Sequence, residues 1–287
     1  MKRIAMTAAA LACFGTVFAD IVCYKYLTIS GSSQSDGVNL LTDYVPKSNT
    51  VIRAKYASSN AGTKNANQFL FCSRLEAAAT ADALNFCYAA NVGGKFRFDY
   101  YASQTPAASK FTKDRVYELF VSGGKAYVTD TTTSSVVEIG SGLQSFEPLY
   151  KLALFQSYTY SSGSYTLGSN SFHGKFYYLE IYDIENGEEV LKHRFVPCLD
   201  GGVAKLCDVA NSDATFALAI TEDGNAAVGG GVDLPFWGDA EPATNRTSAS
   251  CQTAALAAGF ESRLCTGDEF ALAVFDSRSV GATFIIR

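Results

Sequence analysis

The chain has 287 residues with a formal net charge of −5; 48% of its side chains are hydrophobic and 13% aromatic. An acidic chain without a basic run is a poor nucleic-acid ligand, because phosphate neutralisation supplies most of that affinity, and nucleic acid is excluded as a partner. The length suits one large domain with an appendage, or two smaller domains.

Lys2 and Arg3 precede an uncharged, mostly apolar stretch from Ile4 to Phe18 that ends in Val17-Phe18-Ala19. This order predicts a secretory signal over residues 1–19, cut after Ala19. The competing reading is a lipoprotein signal cut before Cys13, for which Leu11 sits one position too close. Loss of Lys2 and Arg3 leaves 21 basic residues against 28 acidic, a net of −7. The signal predicts an extracytoplasmic mature chain, secreted, periplasmic or at the cell surface, and no later apolar run is long enough for a membrane helix.

From residue 24 to about 220 the pattern alternates with period two. In residues 50–56, Ile52, Ala54 and Tyr56 oppose Arg53 and Lys55; in residues 95–100, Phe96, Phe98 and Tyr100 oppose Lys95, Arg97 and Asp99. Such strands cover a core with one face only. Further strands are predicted at 115–121, 125–129, 149–156, 174–183 and 190–195. Turns separate them at Ser122-Gly123-Gly124, Glu185-Asn186-Gly187, Asp200-Gly201-Gly202 and Asp223-Gly224-Asn225, and a serine- and glycine-rich loop is predicted from Ser157 to Ser171. Many short strands with this punctuation mean an all-β sandwich or barrel. Gly229-Gly230-Gly231 marks an expected boundary between a domain at 20–228 and an extension at 229–287. Within the extension, 233–245 is irregular, 252–264 reads as a short helix, and 269–275 with 282–287 as a hairpin. The extension is thus a small α+β piece, either a subdomain or the completion of the sandwich.

Cysteine spacing suggests local disulfides, Cys72 with Cys87, Cys198 with Cys207 and Cys251 with Cys265, leaving Cys23 odd. Buried thiols are the alternative. No Cys-x-x-Cys is present, and only His173 and His193, both expected at the surface, could assist a metal site.

Two stretches carry a resemblance. Residues 26–56 contain Asp43-Tyr44-Val45-Pro46-Lys47-Ser48-Asn49-Thr50, and residues 172–209 contain the hairpin FHGKFYYLEIYDIENGEEVLKHRFVP. Both resemble bacterial laminin G-like domains of the concanavalin A-like lectin/glucanase superfamily, and together they bracket about 24–217. The resemblance implies a two-sheet antiparallel jelly-roll sandwich. It implies no activity, since lectin-like, adhesive and glycan-cleaving proteins share that fold. It also makes calcium a possible ligand through loop carboxylates such as Asp36, Asp43, Asp200 and Asp223, although no spaced ligand set is present; no other cofactor is implied.

In residues 174–183, Tyr177, Leu179 and Ile181 form one expected face and Phe176, Tyr178, Glu180 and Tyr182 the other. The second face, rings with one carboxylate, suits sugar stacking, or else packs as ordinary core. Tyr158, Tyr160 and Tyr165 are further ligand contacts expected on the 157–171 loop. Glu180-Ile181-Tyr182-Asp183-Ile184-Glu185 is the nearest approach to a glycosidase triad, but alternation sends Glu180 and Asp183 to opposite faces. No Gly-x-Ser-x-Gly elbow, paired-histidine motif or phosphate loop occurs. The expectation is a non-catalytic module binding glycans or a cell-surface protein. The alternatives are a structural or adhesive protein that uses the sandwich as scaffold and contacts its partner through residues 232–287, or a glycan-cleaving enzyme.

Overall fold

The computed structural model describes residues 21–33, 35–59, 67–74, 83–89, 94–101, 103–140, 150–168, 170–211 and 214–232. The expected signal segment, the extension beyond 232, Cys251 and Cys265 lie outside the described residues.

Nineteen strands follow one another among these residues: β1 (Val22–Ser30), β2 (Gly37–Leu41), β3 (Val51–Ser58), β4 (Asn67–Ser73), β5 (Ala83–Ala89), β6 (Lys95–Tyr101), β7 (Ser103–Lys110), β8 (Tyr117–Ser122), β9 (Lys125–Asp130), β10 (Val136–Gly140), β11 (Ala153–Leu154), β12 (Tyr158–Ser161), β13 (Ser164–Leu167), β14 (Gly174–Glu185), β15 (Glu188–Asp200), β16 (Val203–Asp208), β17 (Ala214–Ala217), β18 (Ala219–Thr221) and β19 (Asn225–Val232). They form a ten-stranded sheet in the order β10-β9-β8-β3-β14-β1-β15-β16-β17, with β19 also against β1, a seven-stranded sheet, β18-β2-β11-β4-β5-β6-β7, and a two-stranded one, β12-β13. The chain crosses repeatedly between the two large sheets, and the fold is an all-β, two-sheet antiparallel sandwich.

The core lies between the sheets. Ile52, Ala54, Tyr56, Phe176, Leu179 and Ile181 from one meet Phe71, Phe86, Phe96 and Phe98 from the other in a single buried cluster. Tyr56 and Phe86 rings are 5.9 Å apart, and Phe155 and Phe176 rings 4.9 Å apart and edge to face. These are favourable aromatic arrangements, worth about 0.5–1.5 kcal/mol each beyond burial.

The turns form where glycine and asparagine predict them. Gly123 and Gly124 link β8 to β9, and Asn186 (φ 54°) with Gly187 (φ 87°) links β14 to β15. Two consecutive positive-φ residues make the turn whose twist matches that of the flanking strands.

Several expectations change. The 157–171 segment is not an open loop: β12 and β13 form a hairpin that turns at Ser162-Gly163. The glycine run 229–231 lies inside β19, laddered to β1. Its glycines accommodate Tyr26, whose ring a Cβ at Gly229 would approach to 2.5 Å, so the run allows close packing within the strand. His173 is 1% exposed, its Nε2 2.5 Å from the Asp36 carbonyl oxygen, and is not a surface residue. Arg97 and Asp99 point away from the main core as alternation requires, yet both are buried and joined by a two-armed ion pair of 2.6 and 2.9 Å.

The disulfide expectations also change. Cys72 is a buried thiol donating to the Tyr158 carbonyl oxygen, and it lies opposite Asn85 rather than Cys87. Burial pushes its thiol up to about 11. Cys198 is likewise a thiol. It lies opposite Lys205, while Cys207 lies opposite Val196, two residues out of step. Sequence proximity puts each pair on neighbouring strands, but the register sets neither pair directly opposite.

Candidate functional site

The strand register assembles a row across the outer face of the ten-stranded sheet. Arg53 of β3 lies opposite Phe120 of β8 on one side and Glu180 of β14 on the other. Phe120 is opposite Tyr127 of β9, Tyr127 is opposite Glu138 of β10, and Glu180 is opposite Arg194 of β15. Directly opposed residues in an antiparallel ladder put their side chains on one face, so these six share a surface. Ile52 and Ala54 fill the core, and alternation turns Arg53 away from it.

The side chains hold one another in place. The Arg53 guanidinium lies 5.4 Å from the centre of the Phe120 ring and 4.7 Å from that of Tyr182, and Nη2 donates to Glu189 at 3.0 Å. Cations over ring faces attract by the ring quadrupole. The Tyr182 hydroxyl donates to Glu180 at 2.9 Å; Arg194 stands 3.4 Å from the other Glu180 oxygen with its guanidinium 5.8 Å from the Tyr178 ring centre. Burial, reinforced by Glu180, pushes the Tyr178 phenol up to about 12 and raises that of Tyr182, so both are neutral hydrogen-bonding groups at physiological pH. Arg53 is 36% exposed at the side chain, Arg194 14% and Glu180 12%. The surface therefore offers ring faces beside a charged donor and a charged acceptor whose positions are already fixed.

Phe176 does not belong to this face. A bulge between Phe176 and Tyr178 in the pairing with β3 lets Phe176 join the core, with Leu179 and Ile181, while Tyr178, Glu180 and Tyr182 look outward. Tyr177, expected in the core, is half-buried and meets Tyr26, ring centres 5.9 Å apart.

Asp183 turns to the opposite face from Glu180. It accepts the Tyr44 hydroxyl and the Lys47 ammonium, each at 2.6 Å, while the Tyr44 hydroxyl also pairs with Thr50 at 2.7 Å. The carboxylates of Glu180 and Asp183 thus face different surroundings and cannot flank one glycosidic bond. Asn49 completes this clamp by donating to the Ile184 carbonyl at 2.9 Å. The Asp43–Thr50 motif is therefore a fastening of the β2–β3 connection onto β14.

The hairpin tyrosines lie elsewhere. The Tyr158 hydroxyl donates to Asn39 of β2 at 2.6 Å, and the Tyr165 hydroxyl accepts from the Lys151 amide at 2.9 Å. Tyr160 packs 4.8 Å from Tyr165 and 5.4 Å from Tyr150. These rings brace the hairpin against the seven-stranded sheet, so the five ligand contacts expected from sequence divide into two separate groups.

Sequence reading also missed an oriented imidazole. His193 Nδ1 is 2.7 Å from Asp208, which is 1% exposed, and its ring stacks on Phe195 at 5.5 Å and meets Tyr44 edge-on at 5.3 Å. Asp208 also accepts from the Arg194 and Ala210 amides and from Asn211, which makes it the cap of the β15–β16 end. No local motif links positions 193 and 208.

The loop carboxylates suggested for calcium are dispersed. Asp36 is held by Ser32 and Ser33, Asp43 by Lys151, and Asp200 by Lys205 and Thr215. The hydroxyl and amide donors around Asp36 hold it well below the usual carboxylate range. Among the described residues no three His, Cys, Asp or Glu side chains are grouped to hold a metal ion.

No family model and no curated protein matches the chain. Solved structures with similarity include the heptameric SAP-like pentraxin of Limulus polyphemus (8% identity, TM-score 0.40, 75% of this chain and 98% of that one) and mouse laminin α1 domains LG4-5 (14%, 0.38, 61% and 45%). The enzymatically active domain of bacteriophage CBA120 tailspike protein 2 is also similar (9%, 0.39, 57% and 29%). The chain spans 29% of that domain and 22% of the full-length tailspike.

Proposed function

We propose that the protein is an exported, extracytoplasmic binding module of the laminin G-like kind, and that the outer face of the ten-stranded sheet engages glycans. The observation that carries this reading is the Arg53 guanidinium fixed between Phe120 and Tyr182 beside Glu180 and Arg194. Sugars present apolar C–H faces that stack on rings, and hydroxyls that both donate and accept. A row alternating rings, guanidinium and carboxylate answers both needs, and its internal bonds lower the ordering cost of binding.

Binding is tested with immobilised polysaccharides and a glycan array. Tyr182→Ala, which leaves the core untouched, is expected to weaken binding about tenfold or more, the scale of an aromatic anchor. Tyr160→Ala in the distant hairpin is expected to leave it within about twofold. Glycan binding that survives both Tyr182→Ala and Phe120→Ala in folded protein refutes the assignment of the face. Retention of a protein partner with no glycan retained moves the reading to the adhesive alternative.

A further inference from the structure

Three cysteines, one of them far in sequence from the other two, meet at one place. Cys23 of β1 is the direct cross-strand partner of Cys198 of β15, and Cys207 of β16 lies one diagonal step from Cys198. All three are at most 3% exposed and belong, with Val196 and Val209, to a small apolar cluster distinct from the main core. Cys23, odd in any pairing by proximity, is the thiol that register places against Cys198.

We propose that Cys23 and Cys198 form a disulfide that staples the first strand to β15 when the chain folds in the presence of a disulfide oxidant. Directly opposed residues of an antiparallel ladder have Cα atoms about 4.5–5.5 Å apart and side chains on one face, inside the roughly 4.4–6.8 Å window that a disulfide needs. The diagonal pair Cys198 and Cys207 has a typical spacing of about 7–8 Å, with Cβ atoms beyond the roughly 3.5–4.5 Å that bridged cysteines require. Register therefore selects Cys23 over the neighbour nearer in sequence.

The exchange balances with a small-molecule disulfide such as oxidised glutathione. One cysteine thiolate attacks the oxidant's S–S bond, releasing one glutathione thiol and leaving a mixed disulfide. The second cysteine thiolate attacks the protein sulfur of that intermediate and releases the other glutathione. The two cysteines lose two electrons and two protons, and the oxidant gains them. Both sulfurs are buried in the finished sandwich, so the bond forms while β1 docks.

The bond would fasten an otherwise non-covalent junction. β1 is laddered to β14, β15 and β19, so a hold on Cys23 steadies three contacts at once. Cross-linking positions so distant in sequence removes much freedom from the unfolded chain. The inference does not depend on the glycan reading, because it is tested on the folded chain without a ligand.

The full chain is refolded with a reduced and oxidised glutathione mixture, then alkylated under denaturing conditions and digested with trypsin without reduction. Cleavage after Arg194 and Lys205 puts Cys198 and Cys207 on different peptides. The expected product is the Cys23 peptide joined to peptide 195–205, two hydrogens lighter than the separate pair. Reduction of the intact protein is expected to lower Tm by roughly 5–15 °C. Cys207→Ser retains the link and the Tm response; Cys23→Ser and Cys198→Ser abolish both. Quantitative alkylation of Cys23 and Cys198, or a link from either to Cys207 instead, overturns the proposal. Refolding that fails in a serine variant does not obscure the answer, because the link is read directly in the wild-type chain.

Discussion

Replacing Asp183 with alanine removes the acceptor that fastens the β2–β3 connection to β14. Asp183 is 3% exposed and takes the Tyr44 hydroxyl and the Lys47 ammonium at 2.6 Å each. A hydrogen bond to a buried carboxylate contributes about 1.5–2 kcal/mol net. The Lys47 end is discounted to about 0.5–1 kcal/mol, because its side chain is 54% exposed and water replaces the lost partner. The Thr50 contact at 3.5 Å is counted as nothing. Asp183→Ala is therefore expected to cost about 2–3 kcal/mol, a Tm drop of roughly 5–10 °C for a domain of this size. Asp183→Asn keeps an acceptor for Tyr44 and should cost about 1 kcal/mol.

The pH dependence of that cost identifies its origin. Burial opposes ionisation of Asp183, but the Lys47 and Tyr44 bonds outweigh it and hold the carboxyl below its ordinary value. A depressed folded value means that this stabilisation is fully present above the unfolded value of about 3.9 and is lost as pH falls through the folded one. Urea titrations at pH 7 and pH 3 should show the wild-type advantage over Asp183→Ala shrinking in acid. A loss below about 1 kcal/mol at pH 7, or a difference that grows in acid, refutes the clamp as described.

Gly174 sits at φ 145° where an added Cβ would run into the Ala57 carbonyl, so Gly174→Ala should cost roughly 3 kcal/mol, measured by thermal melting. Asp99→Leu removes both arms of the ion pair from the Arg97 guanidinium, 10% exposed, and should cost about 3 kcal/mol; Arg97→Met with Asp99→Leu should recover most of that loss in the same denaturation assay.

Residues that answer to local rules were legible in the sequence. Arg53 turns outward because Ile52 and Ala54 turn in, and the positive φ of Asn186 and Gly187 follows from residue type. What could not be read was lateral position. Nothing near Cys23 says that its strand lies against both β14 and β15, and nothing near Tyr177 signals the bulge that sends Phe176 into the core. Shifting a strand by one residue exchanges its faces, so an error of one position reassigns every contact on it. A segment rich in serine and glycine reads as a loop with exposed tyrosines; the hydroxyls of Tyr158 and Tyr165 instead bond to Asn39 and the Lys151 amide, and the Tyr160 ring packs against Tyr150 and Tyr165.

Stability and recognition use different faces of the same strand. β14 sends Asp183 to the Tyr44–Lys47–Thr50 clamp and Leu179 and Ile181 to the core, while Glu180 and Tyr182 belong to the outer row. The clamp and core therefore fasten β14 from one side, while the spacing between Tyr182 and Arg53 is set by contacts within the outer row itself. Loosening the clamp by Asp183→Asn should lower stability while leaving glycan affinity intact in the folded fraction. Tyr182→Ala should do the reverse. That separation follows from alternation along one strand: neighbouring residues point to opposite environments and can be altered nearly independently.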